Sequence, residues 1–363
     1  MKRIIAFILT ATMALGMLAG CGKKEEPAEN GGTEAPAQKE EASTENTGEV
    51  YEWSLGTIYS DPATSTVYNA FGEWVAKFCE LAAEKTNGQV KITPYYNSVL
   101  GSATEMYEQA RRNEIQVFCS QPMSTIDSRF GMTSIPGIFE DYDMVKEVFT
   151  DPDSDMFKLM NSVVEETGMT MLANNMAVFR VFYNSKNEIH TPQDMNNLTV
   201  RIYEDTICSE YWSGLCSAVV IPYSELFMSL QTGVVDGAEH TMSSGPSQLY
   251  EVCSYCSDIN WQWTWGGPVI VNTKAFEELP ADLQEKVREA AIEACAFYDE
   301  LWEGYNNECA EEMTKKGITY YELNDEERQT WTEYARSLDA KLIEVVGEDF
   351  YNEAIGIINS YSK

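Results

Sequence analysis

From Tyr51 onward, short apolar runs alternate with stretches in which hydrophobic residues recur every three or four positions. "YEWSLGTI" (51–58) predicts a strand. Residues 61–88 predict a helix, with Val67, Phe71, Trp74, Val75, Phe78 and Leu81 on one face and Asn87-Gly88 as its C-cap. "QVKITPYY" (89–96) predicts a second strand, "SATEMYEQARRN" (102–113) a second helix and "IQVFCS" (115–120) a third strand. Further along come strands at 198–203 and 269–272 and a helix at 223–231. Strands separated by helices imply an α/β protein with parallel sheets covered on both faces.

One element is too long for a single domain of this size. Between Pro280 and Lys316 the apolar residues Leu283, Val287, Ala290, Ala294, Phe297, Leu301, Tyr305, Cys309 and Met313 follow steps of three or four. Pro280 suits a helix start and Gly317 a C-terminal cap. Such a helix spans more than about 50 Å, as a helix lying across two domains would.

The N-terminus carries a different pattern. Lys2 and Arg3 precede an apolar run from Ile4 to Leu18, which ends in Leu18-Ala19-Gly20-Cys21. The run is short and its end is small, which marks residues 1–20 as a secretory signal. The ending resembles the bacterial lipobox, in which the cysteine becomes the lipid-modified first residue. Cys21 is therefore the expected lipidation site and membrane anchor. Residues 22–49 hold no aromatic residue and no Val, Ile, Leu or Met, so with Cys21 they form a flexible tether, 21–49. The expected location is extracytoplasmic.

The formal charge of -33 becomes -35 once Lys2 and Arg3 are removed with the signal. Nucleic acid is excluded as a partner for want of a basic patch. In so acidic a chain, an arginine in a cleft points to a specific anion. Eight cysteines remain besides Cys21. Cys253 with Cys256, or Cys208 with Cys216, could form disulfides, or the thiols could be free and buried. One C-x-x-C with only His190 and His240 to complete it is a weak zinc signal, and neither metal nor cofactor is expected.

No nucleophile elbow, P-loop, dinucleotide fingerprint or zinc-protease motif is present. Asp236 and Glu239 could in principle serve as a hydrolase's carboxylate pair. In "SELFMSLQTGVVDGAEH" the residue types also read as architecture. Ser224 caps a helix, Gly233 ends it, Val234-Val235 forms a short buried strand and Asp236-Gly237 turns the chain. The segment after it emerges at a strand's carboxyl end, where open α/β folds bind ligands.

That stretch closely resembles the signature of the solute-binding proteins of TRAP (tripartite ATP-independent periplasmic) transporters. "HTPQDMNNLTVRIY", "LYEVCSYCSDINW", "NTKAFEELPADLQEKVREAA" and the segment from "EKTNGQVKITPY" to "NEIQV" resemble the same family in order. The resemblance implies two α/β domains around a ligand cleft, joined by crossing strands and a long shared helix. The implied division is 51–177 plus 266–305 and 178–265 plus 306–363. It implies binding of a small organic acid and delivery to the TRAP membrane permease subunits, with no enzymatic activity. Arg201 matches the family arginine that forms a two-point ion pair with the ligand carboxylate. Arg180 matches a second arginine near the ligand, Trp261 a cleft position, and Glu105 a region used for ligand hydroxyl or amine groups. Two positions depart from the family: His240 stands where asparagine is usual, and Tyr203 where proline is usual. Histidine there could donate to a second polar group and make binding pH-dependent near neutrality. A solute-binding protein of an ATP-driven importer is the alternative within the binding class.

Overall fold

The computed structural model of the chain describes residues 48–64, 68–259 and 262–361. The signal segment, Cys21, most of the tether and Trp261 lie outside these residues. The strands are β1 (Tyr51–Gly56), β2 (Val90–Tyr95), β3 (Val117–Phe118), β4 (Met169–Asn174), β5 (Val178–Asn184), β6 (Thr199–Ile202), β7 (Ser217–Val220), β8 (Gly237–Thr241), β9 (Tyr255–Asp258), β10 (Trp263–Thr264), β11 (Pro268–Asn272) and β12 (Thr319–Glu322). The helices are α1 (Ala70–Lys85), α2 (Ala103–Arg111), α3 (Tyr142–Val145), α4 (Asp155–Glu166), α5 (Thr206–Ser213), α6 (Leu226–Gln231), α7 (Ser244–Ser247), α8 (Thr273–Glu277), α9 (Ala281–Lys315), α10 (Asp325–Val346) and α11 (Glu348–Tyr361).

Two sheets organise them. The first has strand order β2-β1-β3-β11-β4, and the second β12-β9-β5-β8-β6-β7, with β10 added to β5. Neither sheet is purely parallel. β11 runs antiparallel to β3 and β4, and β5 runs antiparallel to β8, β9 and β10. The expectation of parallel sheets fails at these strands for one reason. β4 leads into β5, and β10 into β11, through three-residue links with no intervening helix. Such links carry the chain from one sheet to the other and leave no room for a right-handed crossover.

The two links lie side by side. The Asn175 N–H donates to the Gly267 carbonyl at 3.2 Å. A Cβ on Gly267 would fall 1.6 Å from Asn175 Oδ1, so only glycine fits there. The same Oδ1 accepts from the Ala177 N–H at 2.9 Å and holds Ala177 at a φ of 46°. Trp263 and Trp265 brace this crossing from the core, donating to the Met176 carbonyl at 2.7 Å and to Asn174 Oδ1 at 2.8 Å.

Helix α9 fulfils the expectation of a long element, with Pro280 at its N-cap and Gly317 turning the chain at a φ of 97°. It packs on α1 and β4 at the first sheet and on α7 and β12 at the second. Midway, Asp299 accepts the Met176 N–H at 2.8 Å, and burial pushes its carboxyl up to about 7. The long helix is thus tied directly to a crossing link. At the C-terminus α11 packs on α4 and α10.

Other expectations shift by a few residues. Helix α1 starts at Ala70 rather than near 61, because Asn69 accepts the Gly72 N–H at 3.2 Å and caps it there. All eight cysteines of the described residues are unpaired thiols, including Cys253, Cys256, Cys208 and Cys216. No described helix is long and apolar enough to cross a membrane.

Candidate functional site

A cleft of about 650 Å³ opens between the two sheets. The second sheet supplies its charged floor. Arg180 on β5, Arg201 on β6 and His240 on β8 lie on neighbouring strands, because β8 pairs with both β5 and β6. The first sheet's side supplies Tyr59 after β1, Asn69 at the start of α1, Glu105 on α2 and Gln121 after β3.

The approach of β8 depends on its first residues. Val234 is 60% exposed, so the expected buried strand at Val234-Val235 is not formed. Instead Asp236 pairs with β6: its N–H donates to the Thr199 carbonyl at 2.7 Å, and its Oδ2 accepts the Thr199 N–H at 2.8 Å. The strand therefore begins at Gly237, whose missing Cβ would sit 2.5 Å from the Tyr183 carbonyl. Starting there, the strand carries Glu239 and His240 into the interior.

Arg201 is only 2% exposed. Its Nε donates to the Ile221 carbonyl at 2.8 Å. Among the described residues it has no carboxylate partner in ion-pair contact, and its two terminal NH₂ groups make no hydrogen bond. Burial, and then the Arg180 charge, pull its pKa from 12.5 down to about 10. The group stays cationic at neutral pH; the Glu239 charge offsets part of the penalty, but no ion pair among the described residues matches this buried charge, which is costly.

Arg180 is 8% exposed and differently served. Its Nε donates to Thr264 Oγ1, its guanidinium lies 3.8 Å from Glu239 Oε2, and it stacks 4.5 Å over the Tyr203 ring. Burial alone would lower its pKa; the Glu239 charge, together with smaller contributions from Tyr203, Cys208 and Tyr59, outweighs that and raises it. Burial in turn raises the Glu239 carboxyl, against the pull of both arginines. Glu239 is flanked by the Cys208 thiol at 3.7 Å.

His240 lines the cleft, stacked against Tyr223 at 5.2 Å, with Nδ1 bonded to Ser244 Oγ. Burial, then the charges of Arg180 and Arg201, hold it well below 6.5. The imidazole is therefore held towards its neutral form. That argues against His240 making binding pH-dependent near neutrality.

Five of the six anticipated ligand positions thus line one cleft: Arg201, Arg180, His240, Tyr203 and Glu105. Trp261 lies outside the described residues. Glu105 sits at the rim, where its carboxylate closes a capping box on the Ser102 N–H at 2.7 Å. Sequence reasoning did not find Gln121, Tyr223 or Thr264, whereas Tyr59 lies in the loop after the first strand, 58–66, that it expected to face the cleft. Gln121 is 4% exposed, lines the cleft, and its side-chain amide bonds to no described residue. Asp236 takes no part, since it pairs with Lys186 at 3.1 Å away from the cleft. No group of three or more metal-ligating side chains occurs among the described residues.

Comparison with known proteins agrees with this geometry. Residues 61–344 match the bacterial extracellular solute-binding protein family 7. The chain is 29% identical over 286 residues to the C4-dicarboxylate-binding periplasmic protein DctP of Rhodobacter capsulatus, covering 77% of this chain and 84% of that one. Its fold is similar to a TRAP periplasmic solute-binding protein from Roseobacter denitrificans solved with bound β-D-glucuronate, at a TM-score of 0.77 and 23% identity over 85% of this chain and 99% of that one. A sugar acid binding protein from Advenella mimigardefordensis, solved with galactonate, gives a TM-score of 0.78 at 21% identity, over 86% of this chain and 99% of that one. A cleft between two crossing-linked sheets, a buried arginine pair on its floor and a family match over most of the sequence converge: the chain belongs to the extracellular solute-binding protein family 7, the solute-binding proteins of TRAP transporters.

Proposed function

We propose that the protein captures a small organic acid outside the cytoplasm and delivers it to a TRAP membrane permease. Arg201 is the anion anchor. The observation that carries this reading is the Arg201 guanidinium itself, buried, cationic and with neither terminal NH₂ group hydrogen-bonded among the described residues. A carboxylate can accept from both groups at once. The relatives' ligands are of this type: a protein named for C4-dicarboxylates, and structures holding glucuronate and galactonate.

Two charge-assisted hydrogen bonds contribute about 3–6 kcal/mol, whereas micromolar binding needs about 8 kcal/mol. Closure of the two sheets' sides over the ligand supplies the remainder. The domains that close are 51–177 plus 266–305 and 178–265 plus 306–363. The mature chain hangs from the membrane by lipidated Cys21 and the 21–49 tether. Binding without catalysis is favoured because Asp236 faces Lys186 and Glu239 lies buried beside Arg180, so they do not flank a substrate.

The test is to denature the purified protein and identify the released molecule by mass spectrometry, then to follow the melting temperature with that acid added. The expected result is a carboxylic acid that raises the melt of the wild type and not of Arg201→Met. A released ligand without a carboxylate would refute the reading.

A further inference from the structure

We infer that the ligand is a monocarboxylate bearing hydroxyl groups, and that dicarboxylates are discriminated against. The inference rests on the Arg201 reading and concerns the remainder of the same cleft. Arg180 and Arg201 are the only cations among the described residues that line it, and both lie on the second-sheet floor. Glu239 stands 3.8 Å from Arg180 and neutralises one of them. His240, stacked on Tyr223 and bonded through Nδ1 to Ser244, is buried beside both arginines, which favours its neutral form. The floor therefore carries one unbalanced positive charge, enough for one carboxylate.

A second carboxylate would have to lie further up the cleft, where the charges are negative. Glu105, Glu204 and Glu225 line that rim, and no arginine or lysine forms an ion pair with any of them. Glu204 accepts from the Thr104 hydroxyl at 3.1 Å and Glu105 closes its capping box, so both are held in place. A like charge about 4 Å away in watery surroundings weakens binding about fivefold, and two such charges about 25-fold. Neutral partners, by contrast, are on offer. The Gln121 amide is almost wholly buried, borders the cleft and bonds to no described residue. An amide in that state satisfies both its donor and its acceptor on a ligand hydroxyl.

The experiment pairs aldonic acids of four to six carbons with the aldaric diacids of the same skeletons, titrated calorimetrically against the wild type. In the pair that binds, the monoacid is expected to be tighter by roughly tenfold or more. Glu204→Gln and Glu225→Gln should each move the preference about fivefold towards the diacid, and Gln121→Leu should weaken the hydroxylated acid more than its deoxy analogue. A diacid that binds as tightly as its monoacid would overturn the inference. It would leave the anion anchor standing if Arg201→Met still abolished that binding. Binding of none of these acids would overturn the inference while leaving the anion anchor to the released-ligand test.

Discussion

Replacing Arg201 by methionine separates a functional charge from a structural one. In the folded protein the Arg201 pKa is drawn from 12.5 to about 10 by burial and by Arg180. That depression corresponds to roughly 3 kcal/mol of unfavourable charge burial. Removing the guanidinium removes this penalty but leaves the Ile221 carbonyl without its 2.8 Å donor, at a cost of about 1–3 kcal/mol. The two effects oppose each other. The unliganded Arg201→Met protein should therefore melt within a few degrees of wild type, on the stabilised side. Ligand binding should fall by about 3–6 kcal/mol, a factor of roughly 10² to 10⁴, since two charge-assisted hydrogen bonds vanish together. Scanning calorimetry with and without ligand reads both quantities. A strongly destabilised unliganded protein would show that Arg201 is a structural ion, and an unchanged ligand-induced shift would show that the carboxylate binds elsewhere.

Three further outcomes are expected. Because burial and the two arginine charges favour neutral His240, wild type and His240→Gln should show the same pH dependence of Kd between about pH 6 and 8, measured by titration calorimetry. At the other histidine, burial alone would lower the pKa, but hydrogen bonds to Glu327 and Glu188 hold His190 above 6.5. A pKa raised on folding stabilises fully below the unfolded value and fades as pH rises through the folded one. His190→Ala should therefore cost more at pH 5.5 than at pH 8.5, by no more than about 1 kcal/mol for so exposed a pair, as denaturant melts at the two pH values will show. Gly267→Ala should destabilise by about 2–4 kcal/mol, because the new methyl would displace the Asn175 amide that supports Ala177; a urea midpoint close to wild type would show that the crossing links can part.

What the sequence discloses follows the range of the interaction. Helix α9 is legible because Pro280, Gly317 and the spacing between them are local signals. The β8 strand is misplaced because its start is decided by Thr199, 37 residues away, through two hydrogen bonds to Asp236. The antiparallel β5 and β11 are invisible because nothing in their composition records that the links beside them cross between sheets. Arg201 and Arg180 are two among 25 Lys and Arg residues, and only the resemblance of the segments around them to the TRAP solute-binding family marks them. Gln121 is not marked at all, since its importance lies in the hydrogen bonds it fails to make. Glu239 reads as one acid among many until β8 sets it against Arg180.

All the cleft's positive charge lies on one wall, on β5 and β6 of the second sheet, while the facing wall offers Gln121, Tyr59 and Asn69. On the proposed reading this asymmetry divides binding kinetics between the walls. Capture of an anion is governed by the arginine floor, whose field acts at a distance and weakens with added salt. Retention is governed by the neutral wall, which touches the ligand only after closure. Changes at Arg201 should appear in the association rate as well as in dissociation, whereas Gln121→Leu should leave association nearly untouched and shorten the residence time.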